Sequence, residues 1–132
     1  MAVSVSAQDL KPVKDKATKK FGYQSKNKAW VIDPVYDNAK RFIDGFAVVE
    51  IEGRQGLIDT HGDLILNTEY DNIGKFDKYG LCELMIKEGR TKWYGVADQS
   101  GSILLPVDSR DVIISKKGLY ILSNRAVNIE GF

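Results

Sequence analysis

The sequence predicts a single all-β domain built from about three copies of a repeat of 34 to 40 residues. Two observations predict it: landmarks that recur at a fixed interval, and apolar residues that alternate with polar ones. Because one copy of such a repeat cannot bury its own apolar face, the copies are expected to stack into an array. The landmarks that recur 34 residues apart are Gly22 and Gly56, Tyr36-Asp37 and Tyr70-Asp71, and Phe42 and Phe76.

The first two strands of each copy are predicted to form a hairpin. In two copies the strand after the glycine landmark ends in a turn with Asp at the first position and Gly at the fourth, which is the pattern of a type I turn. Copy one reads Ser25-Lys26-Asn27-Lys28 at this place, so a lysine replaces the glycine and predicts a weaker or differently shaped hairpin. The residues assigned to this hairpin are the glycine landmarks Gly22, Gly56 and Gly95 and the turn residues Asp59, Gly62, Asp98 and Gly101.

The other strands are read from their apolar residues. The second strands are apolar throughout, and their aligned residues Trp30, Leu64 and Ile103 are interpreted as core. The third strands alternate with period two, as half-buried strands do. Three strands per copy predict about nine short strands in a meander or hairpin array, with few or no helices. The third strands start after Gly45, Gly80 and Gly118, and their inward residues are Ala47, Val49 and Ile51 in copy one and Cys82, Leu84 and Ile86 in copy two.

We divide the chain into a flexible basic arm, residues 1–19, and a repeat domain, residues 20–132. The copies are expected to span about 20–53, 54–89 and 90–125, with an insertion near Lys87–Trp93 that lengthens the step to the third copy. That copy has lost its aromatic landmarks and is expected to cap the array.

The N-terminal region carries most of the positive charge. Residues 1–28 hold seven lysines and two aspartates, whereas residues 29–132 are net acidic. The lysines lack the interleaved aromatics and arginines of nucleic-acid sites, so we interpret the segment as a solvated tether. Val5-Ser6-Ala7 resembles the end of a signal peptide cleaved before Gln8, which predicts an exported protein (periplasmic, surface or secreted). A chance resemblance would leave the protein cytoplasmic. No apolar run is long enough to predict a membrane span.

The order of these motifs resembles the bacterial WG-repeat (KWG) family over roughly residues 20–125. The matching segments are Lys20-Phe21-Gly22-Tyr23, Arg54-Gln55-Gly56-Leu57-Ile58-Asp59 and Lys92-Trp93-Tyr94-Gly95-Val96-Ala97-Asp98. Gln55 departs from the pattern, since the family has an aromatic residue there, and Arg110-Asp111 replaces Tyr-Asp in copy three. The resemblance implies a β-rich repeat domain, often in exported or envelope proteins, with no agreed activity and no catalytic residues.

The residues that could carry chemistry fit structural roles in the repeat. His61 is the only histidine, and with Asp59 and Asp63 nearby it offers too little for a zinc site. Cys82 aligns with Ala47, so we interpret it as a small buried residue, and a single cysteine forms no internal disulfide. The sequence therefore predicts no enzyme, no catalytic residue, no metal and no cofactor.

Three aromatic residues are the candidates for binding: Trp93, Tyr94 and Tyr79. Trp93 is expected to be an exposed anchor because it lies in the insertion, and Trp and Tyr dominate binding hot spots. The leading hypothesis is a non-catalytic binding or scaffold module of the cell envelope or exterior that contacts a protein or a glycan.

Two alternatives stay open. A hydrolase of polysaccharide or peptidoglycan would show two close carboxylates in a deep pocket, or His61 beside acids. A self-assembling structural protein would pair through an open terminal strand such as Leu119–Leu122, and the oligomeric state is not predicted.

Overall fold

The computed structural model of the chain describes residues 9–109, 111–115 and 118–122, and the side chains of residues 9–108. The described residues form thirteen β-strands and no α-helix, which confirms the all-β prediction. The strands are β1 (Lys11–Lys14), β2 (Phe21–Gln24), β3 (Trp30–Tyr36), β4 (Asn38–Ala39), β5 (Phe46–Ile51), β6 (Arg54–Asp59), β7 (Leu64–Tyr70), β8 (Asn72–Ile73), β9 (Leu81–Glu88), β10 (Thr91–Asp98), β11 (Ile103–Ser109), β12 (Asp111–Ser115) and β13 (Gly118–Leu122).

These strands form four sheets, ordered β1-β2-β3, β4-β5-β6-β7, β8-β9-β10-β11 and β12-β13. The nine predicted strands are all present, and β1, β4, β8 and β12 are additional. β4 and β8 are two-residue strands in the segment that follows each Tyr-Asp pair, and each pairs with the third strand of its own copy. The linking segments are therefore strand rather than irregular chain.

The prediction of a flexible arm over residues 1–19 is corrected at Lys11–Lys14. This segment is β1, and it pairs antiparallel with β2 from Lys11↔Gln24 to Lys14↔Phe21. The turn between them is closed by Asp15, whose Oδ2 accepts hydrogen bonds from the backbone N and the Oγ1 of Thr18. The lysine-rich composition concealed the strand, whose two lysines are exposed while Pro12 and Val13 are half-buried. Residues 1–8, with the predicted cleavage site, lie outside the described residues.

The sequence repeat and the sheets are offset by one strand. β5, the third strand of copy one, pairs with β6, the first strand of copy two, with Val49 opposite Gly56. β9 and β10 join copies two and three in the same way, with Leu84 opposite Gly95. Neighbouring copies are thus joined by backbone hydrogen bonds across the copy boundary.

The glycine landmarks lie where the partner strand comes closest. A Cβ atom added to Gly22 would lie 2.4 Å from the backbone oxygen of Ile32, and one added to Gly95 would lie 2.6 Å from that of Leu105. At Gly56 the nearest backbone atom is the oxygen of Leu66, at 2.8 Å. The register of β2 with β3 and of β10 with β11 also shifts beside the glycine, as at a bulge. The recurrence of glycine is therefore a requirement of close backbone approach.

The Tyr-Asp landmark closes the hairpin between copies. The Asp37 carboxylate accepts a hydrogen bond from the backbone N of Glu52 at 2.7 Å, and Asp71 accepts one from Lys87 at 2.6 Å. Asp37 also pairs with Lys20. Hydrogen bonds from Lys20 first, and then from Glu52, lower the pKa of Asp37 below 3.8.

The chain divides into two compact units, Met1–Glu69 and Tyr70–Phe132. In the first unit the core holds residues of β2, β3, β4, β5 and β6, with Tyr23 fully buried against Phe42 at a ring-centroid distance of 4.8 Å. The Tyr23 hydroxyl donates a 2.6 Å hydrogen bond to the carbonyl of Lys40, so its polar end is satisfied. In the second unit Cys82, Leu84, Val96 and Ala97 are fully buried. The inward faces predicted for the third strands are confirmed at Ala47, Val49, Cys82 and Leu84, whereas Ile51 and Ile86 are half-buried.

The predicted turns are present in all three copies. Gly62 and Gly101 have φ of 85° and 86° and donate to the carbonyls of Asp59 and Asp98. Copy one has the same turn, because Lys28 donates to the Ser25 carbonyl at 2.9 Å and itself takes φ 62°. Of the two outcomes predicted for copy one, a weaker or a differently shaped hairpin, the different shape is not observed. The positive φ of Lys28 is a backbone strain in keeping with a weaker hairpin.

Candidate functional site

The insertion before copy three lengthens one hairpin. β5 and β6 pair over six residues each, whereas β9 and β10 pair over eight, down to Glu88↔Thr91. Trp93 lies opposite Ile86, just as Arg54 lies opposite Ile51. The placement of Trp93 outside the repeat pattern is therefore wrong: the extra residues lie at the tip, and Trp93 takes the position of Arg54.

The three predicted binding residues do not share one face. Trp93 and Tyr94 are consecutive on β10, so their side chains point to opposite faces of the sheet, and both are half-buried. Tyr79 lies in the turn Asp77–Gly80, is 42% exposed, and has the Lys78 ammonium 5.3 Å from its ring centroid. Their role in binding stays a prediction.

A different set of apolar residues is exposed, at the position interpreted as core. Trp30 is 37% exposed, Leu64 52% and Ile103 44%. Each lies two residues after the last turn residue, at the start of β3, β7 and β11. We call Trp30, Leu64 and Ile103 the tip residues. The core interpretation is wrong because the inward position begins two residues later, at Ile32 and Leu66, which are 6% and 4% exposed.

Residues beside the tip residues extend this apolar character. Val31 and Leu104 follow Trp30 and Ile103 and are 39% and 46% exposed, and Val35 on β3 is 56% exposed. Consecutive exposed residues at the start of a strand break the period-two pattern, in keeping with the shifted register of β2 and β3 between Tyr23 and Gln24. Each hairpin tip therefore presents apolar side chains to solvent.

The turn of copy two gathers three side chains that can ligate a metal. One ligand atom each from Asp59, His61 and Asp63 lie within 4.8 Å of one another. Asp59 is half-buried, and His61 and Asp63 are exposed. The sequence offered these residues at alternate positions, but whether they converge depends on how the turn folds. The structure therefore places His61 beside acids, the arrangement expected of the hydrolase alternative.

Cys82 is a buried structural residue, as predicted. It is 0% exposed on β9, opposite Ala97. Burial, as the main cause, raises the pKa of the Cys82 thiol to about 11. A thiol of this kind is protonated at neutral pH and is a poor nucleophile.

A shallow depression with room for about one water molecule lies beside β4, β5 and Gln55 of β6. Glu50 is the one carboxylate among the residues that line it. Ligand pockets usually enclose about 300–1,000 Å³. This depression is therefore too small for a sugar chain or a peptide. It is lined by one carboxylate, whereas a glycosidase uses two.

The open strand suggested for self-assembly, Leu119–Leu122, belongs to β13, which pairs with β12 from Gly118↔Ser115 to Leu122↔Asp111. Among the strands the structure describes, this pair forms a sheet of its own. The described residues contain no helix that is long and apolar enough to cross a membrane.

Comparison with known proteins gives one match. The model of the WG-containing repeat family matches the chain twice, at residues 21–54 and 56–87, which together make half of its length. The two matches correspond to the first and second copies. No curated protein and no solved structure matches the chain.

Proposed function

Because the chain belongs to the family of WG-containing repeats, we propose that it is a non-catalytic binding or scaffold module whose tip residues contact a partner. The exposure of Trp30, Leu64 and Ile103 at equivalent positions of three copies carries the proposal. Exposing half of such a side chain forgoes about 1 kcal/mol of burial free energy. Each copy therefore offers an apolar contact at its own hairpin tip.

The chemistry of the tip residues favours a protein partner. Exposed apolar patches mark protein–protein sites, and Trp is enriched among the residues that dominate such interfaces. Leu64 and Ile103 are aliphatic, so they offer no ring on which a sugar could stack. The binding test therefore includes glycans as well as peptides.

We place this module outside the cytoplasm, in the cell envelope or exterior. The support for this place is Val5-Ser6-Ala7, which resembles the end of a signal peptide cleaved before Gln8. Fractionation of the native host, with the chain detected by antibody, tests it directly.

The binding test compares two double variants on the same two strands. Trp30→Ser with Leu64→Ser removes two tip residues, and Asp33→Ser with Asn67→Ser changes exposed residues at equivalent places on the same strands. A displayed peptide library and a glycan panel are screened on the unmodified chain, and the dissociation constants of the strongest ligands are measured by interferometry.

We expect the tip variant to weaken binding of the selected ligands at least tenfold and the control variant to leave it within twofold. Equal binding by the unmodified chain and the tip variant would contradict the proposal. If the screen selects glycans alone, the partner is a carbohydrate and not a protein.

A hydrolase is the second candidate, because His61 lies beside Asp59 and Asp63. These residues lie on a turn rather than in a deep cleft. Release of sugars or peptides from peptidoglycan and polysaccharides, abolished in His61→Asn, would support hydrolysis. Equal background release by both proteins would count against it.

A further inference from the structure

The copy-two turn and the residue after it carry two carboxylates and the single imidazole of the chain. The Oδ1 atom of Asp59 accepts hydrogen bonds from the backbone N of His61 at 2.9 Å and of Asp63 at 3.0 Å. These bonds fold the backbone around the Asp59 carboxylate. The side chains of His61 and Asp63 consequently come to within 4.8 Å of it.

The equivalent turn of copy three shows what the fold itself requires. Asp98 accepts the same two backbone hydrogen bonds, from Ser100 at 2.9 Å and Ser102 at 3.1 Å. There the two serine hydroxyls lie 3.0 Å apart, and Ser100 also donates to Asp98 at 2.6 Å. The turn therefore needs only the first Asp, and neither a histidine nor a second carboxylate is required at the later positions.

Copy two has His61 and Asp63 in place of these two serines. An imidazole and a second carboxylate therefore lie beside the Asp59 carboxylate. Asp59 and Asp63 bring two negative charges together, and among residues 9–108 the ion pairs are Lys20–Asp37 and Lys26–Asp9, so neither carboxylate has a cationic partner there. Like charges at this separation favour a bound cation between them. The imidazole adds a nitrogen ligand, which selects transition metals over calcium or magnesium.

We propose that Asp59, His61 and Asp63 bind a divalent transition-metal ion of the zinc type, independently of the contact surface proposed above. Zinc takes imidazole nitrogen and carboxylate oxygen at about 2.0–2.2 Å in a tetrahedral site, so the three ligand atoms must draw together by up to about 1.5 Å. The side chains of His61 and Asp63 are exposed and can rotate to do so. Three protein ligands leave a fourth position open to water or to a ligand group of another molecule.

The test is titration calorimetry of ZnCl₂ into the chain without an affinity tag, followed by NMR. We expect one Zn²⁺ per chain with a dissociation constant of about 10–100 μM, since three ligands on an exposed turn bind less tightly than four in a structural site. Because the chain has one histidine, its imidazole signals report the site directly. They should broaden selectively when Ni²⁺ is added.

The variants His61→Asn and Asp63→Ser keep Asp59 and the backbone hydrogen bonds, so both should fold. Asn27 and Ser102 occupy the equivalent places in copies one and three. We expect each variant to weaken Zn²⁺ binding at least tenfold, with the thermal midpoint in metal-free buffer unchanged within about 3 °C. Ser100→His combined with Ser102→Asp should create a second site and raise the stoichiometry to two.

An absence of heat and of imidazole broadening at 1 mM metal would overturn the proposal. Equal affinity in His61→Asn would also overturn it, since it would assign the ion to other groups.

Discussion

The clearest test of the repeat as a structural unit is the replacement of Gly95 by alanine. Gly95 lies on β10, buried opposite Leu84 of β9 and close to β11. A Cβ there would lie 2.6 Å from the oxygen of Leu105, 2.8 Å from a methyl group of Val107 and 2.9 Å from the carbonyl carbon of Pro106. Two of these three atoms are backbone, so rotation of a side chain cannot relieve the contact.

The magnitude follows from these distances. Ordinary contacts of a Cβ begin at 3.4 Å, so β11 must move by roughly 0.8 Å. Overpacking of this kind costs about 1–3 kcal/mol, and we place Gly95→Ala near 3 kcal/mol because backbone has to shift. For a chain of this size the loss lowers the thermal midpoint by roughly 10 °C.

The assay is urea unfolding followed by circular dichroism, with Gly74→Ala as the matched control in the same unit. A Cβ at Gly74 would find its nearest neighbours at 3.5–3.7 Å, and Gly74, like Gly95, is not in a left-handed conformation. The gain in unfolded-state rigidity is the same in both variants. If Gly95→Ala were no less stable than Gly74→Ala, close approach would not explain the landmark.

Further predictions concern a turn, a thiol and a carboxylate. Lys28→Gly should stabilise the fold by about 0.5–1 kcal/mol in urea unfolding, because Lys28 has φ 62°. Lys26→Gly relieves no such strain and should not stabilise the fold. Equal effects of the two substitutions would show that Lys28 is not strained. Cys82 should react with iodoacetamide at pH 8 only after unfolding, because burial raises its pKa to about 11; full labelling of the folded chain within minutes would contradict its burial. The pKa of Asp37 is lowered in the folded state, so its contribution to stability is present above pH 3.8 and is lost as the pH falls through the lowered value. Asp37→Asn should therefore reduce the loss of stability that the unmodified chain shows on acidification. An unchanged loss would argue against the pairing with Lys20.

The period, the turns and the inward faces of the third strands could be predicted because they follow from local chemistry. The Asp-x-x-Gly turn requires particular residues at fixed places. Alternation along β5 separates Ala47 and Val49 from outward residues without reference to the rest of the fold. The glycine landmarks could be found as a period, although their cause, an approaching backbone, is visible only in three dimensions.

The orientation of the tip residues could not be predicted, because composition does not distinguish an apolar residue at a strand's start from one two positions later. Trp30, Val31 and Ile32 are all apolar, and only the shifted register of β2 and β3 decides which points inward. The two-residue strands β4 and β8 were missed for a related reason. Their hydrogen bonds come from the third strand of the copy, so no local pattern marks them.

Asp59, His61 and Asp63 could be named together from the sequence, but the convergence of their side chains could not be predicted. A lone histidine is weak evidence in a sequence, because its neighbours in space are unknown. The alternate spacing of the three residues around an Asp-capped turn was the available signal, since Asp59 holds the backbone of the other two.

The comparison of Leu64→Ala with Leu66→Ala tests the central claim, that the repeat turns apolar residues outward at its hairpin tips. The two leucines lie two positions apart on β7, at 52% and 4% exposure. Burial predicts a loss of about 2–4 kcal/mol for Leu66→Ala and less than about 1 kcal/mol for Leu64→Ala in urea unfolding. Equal losses of stability of 2 kcal/mol or more in the two variants would mean that Leu64 is buried in the core. The proposed contact surface would then be without support.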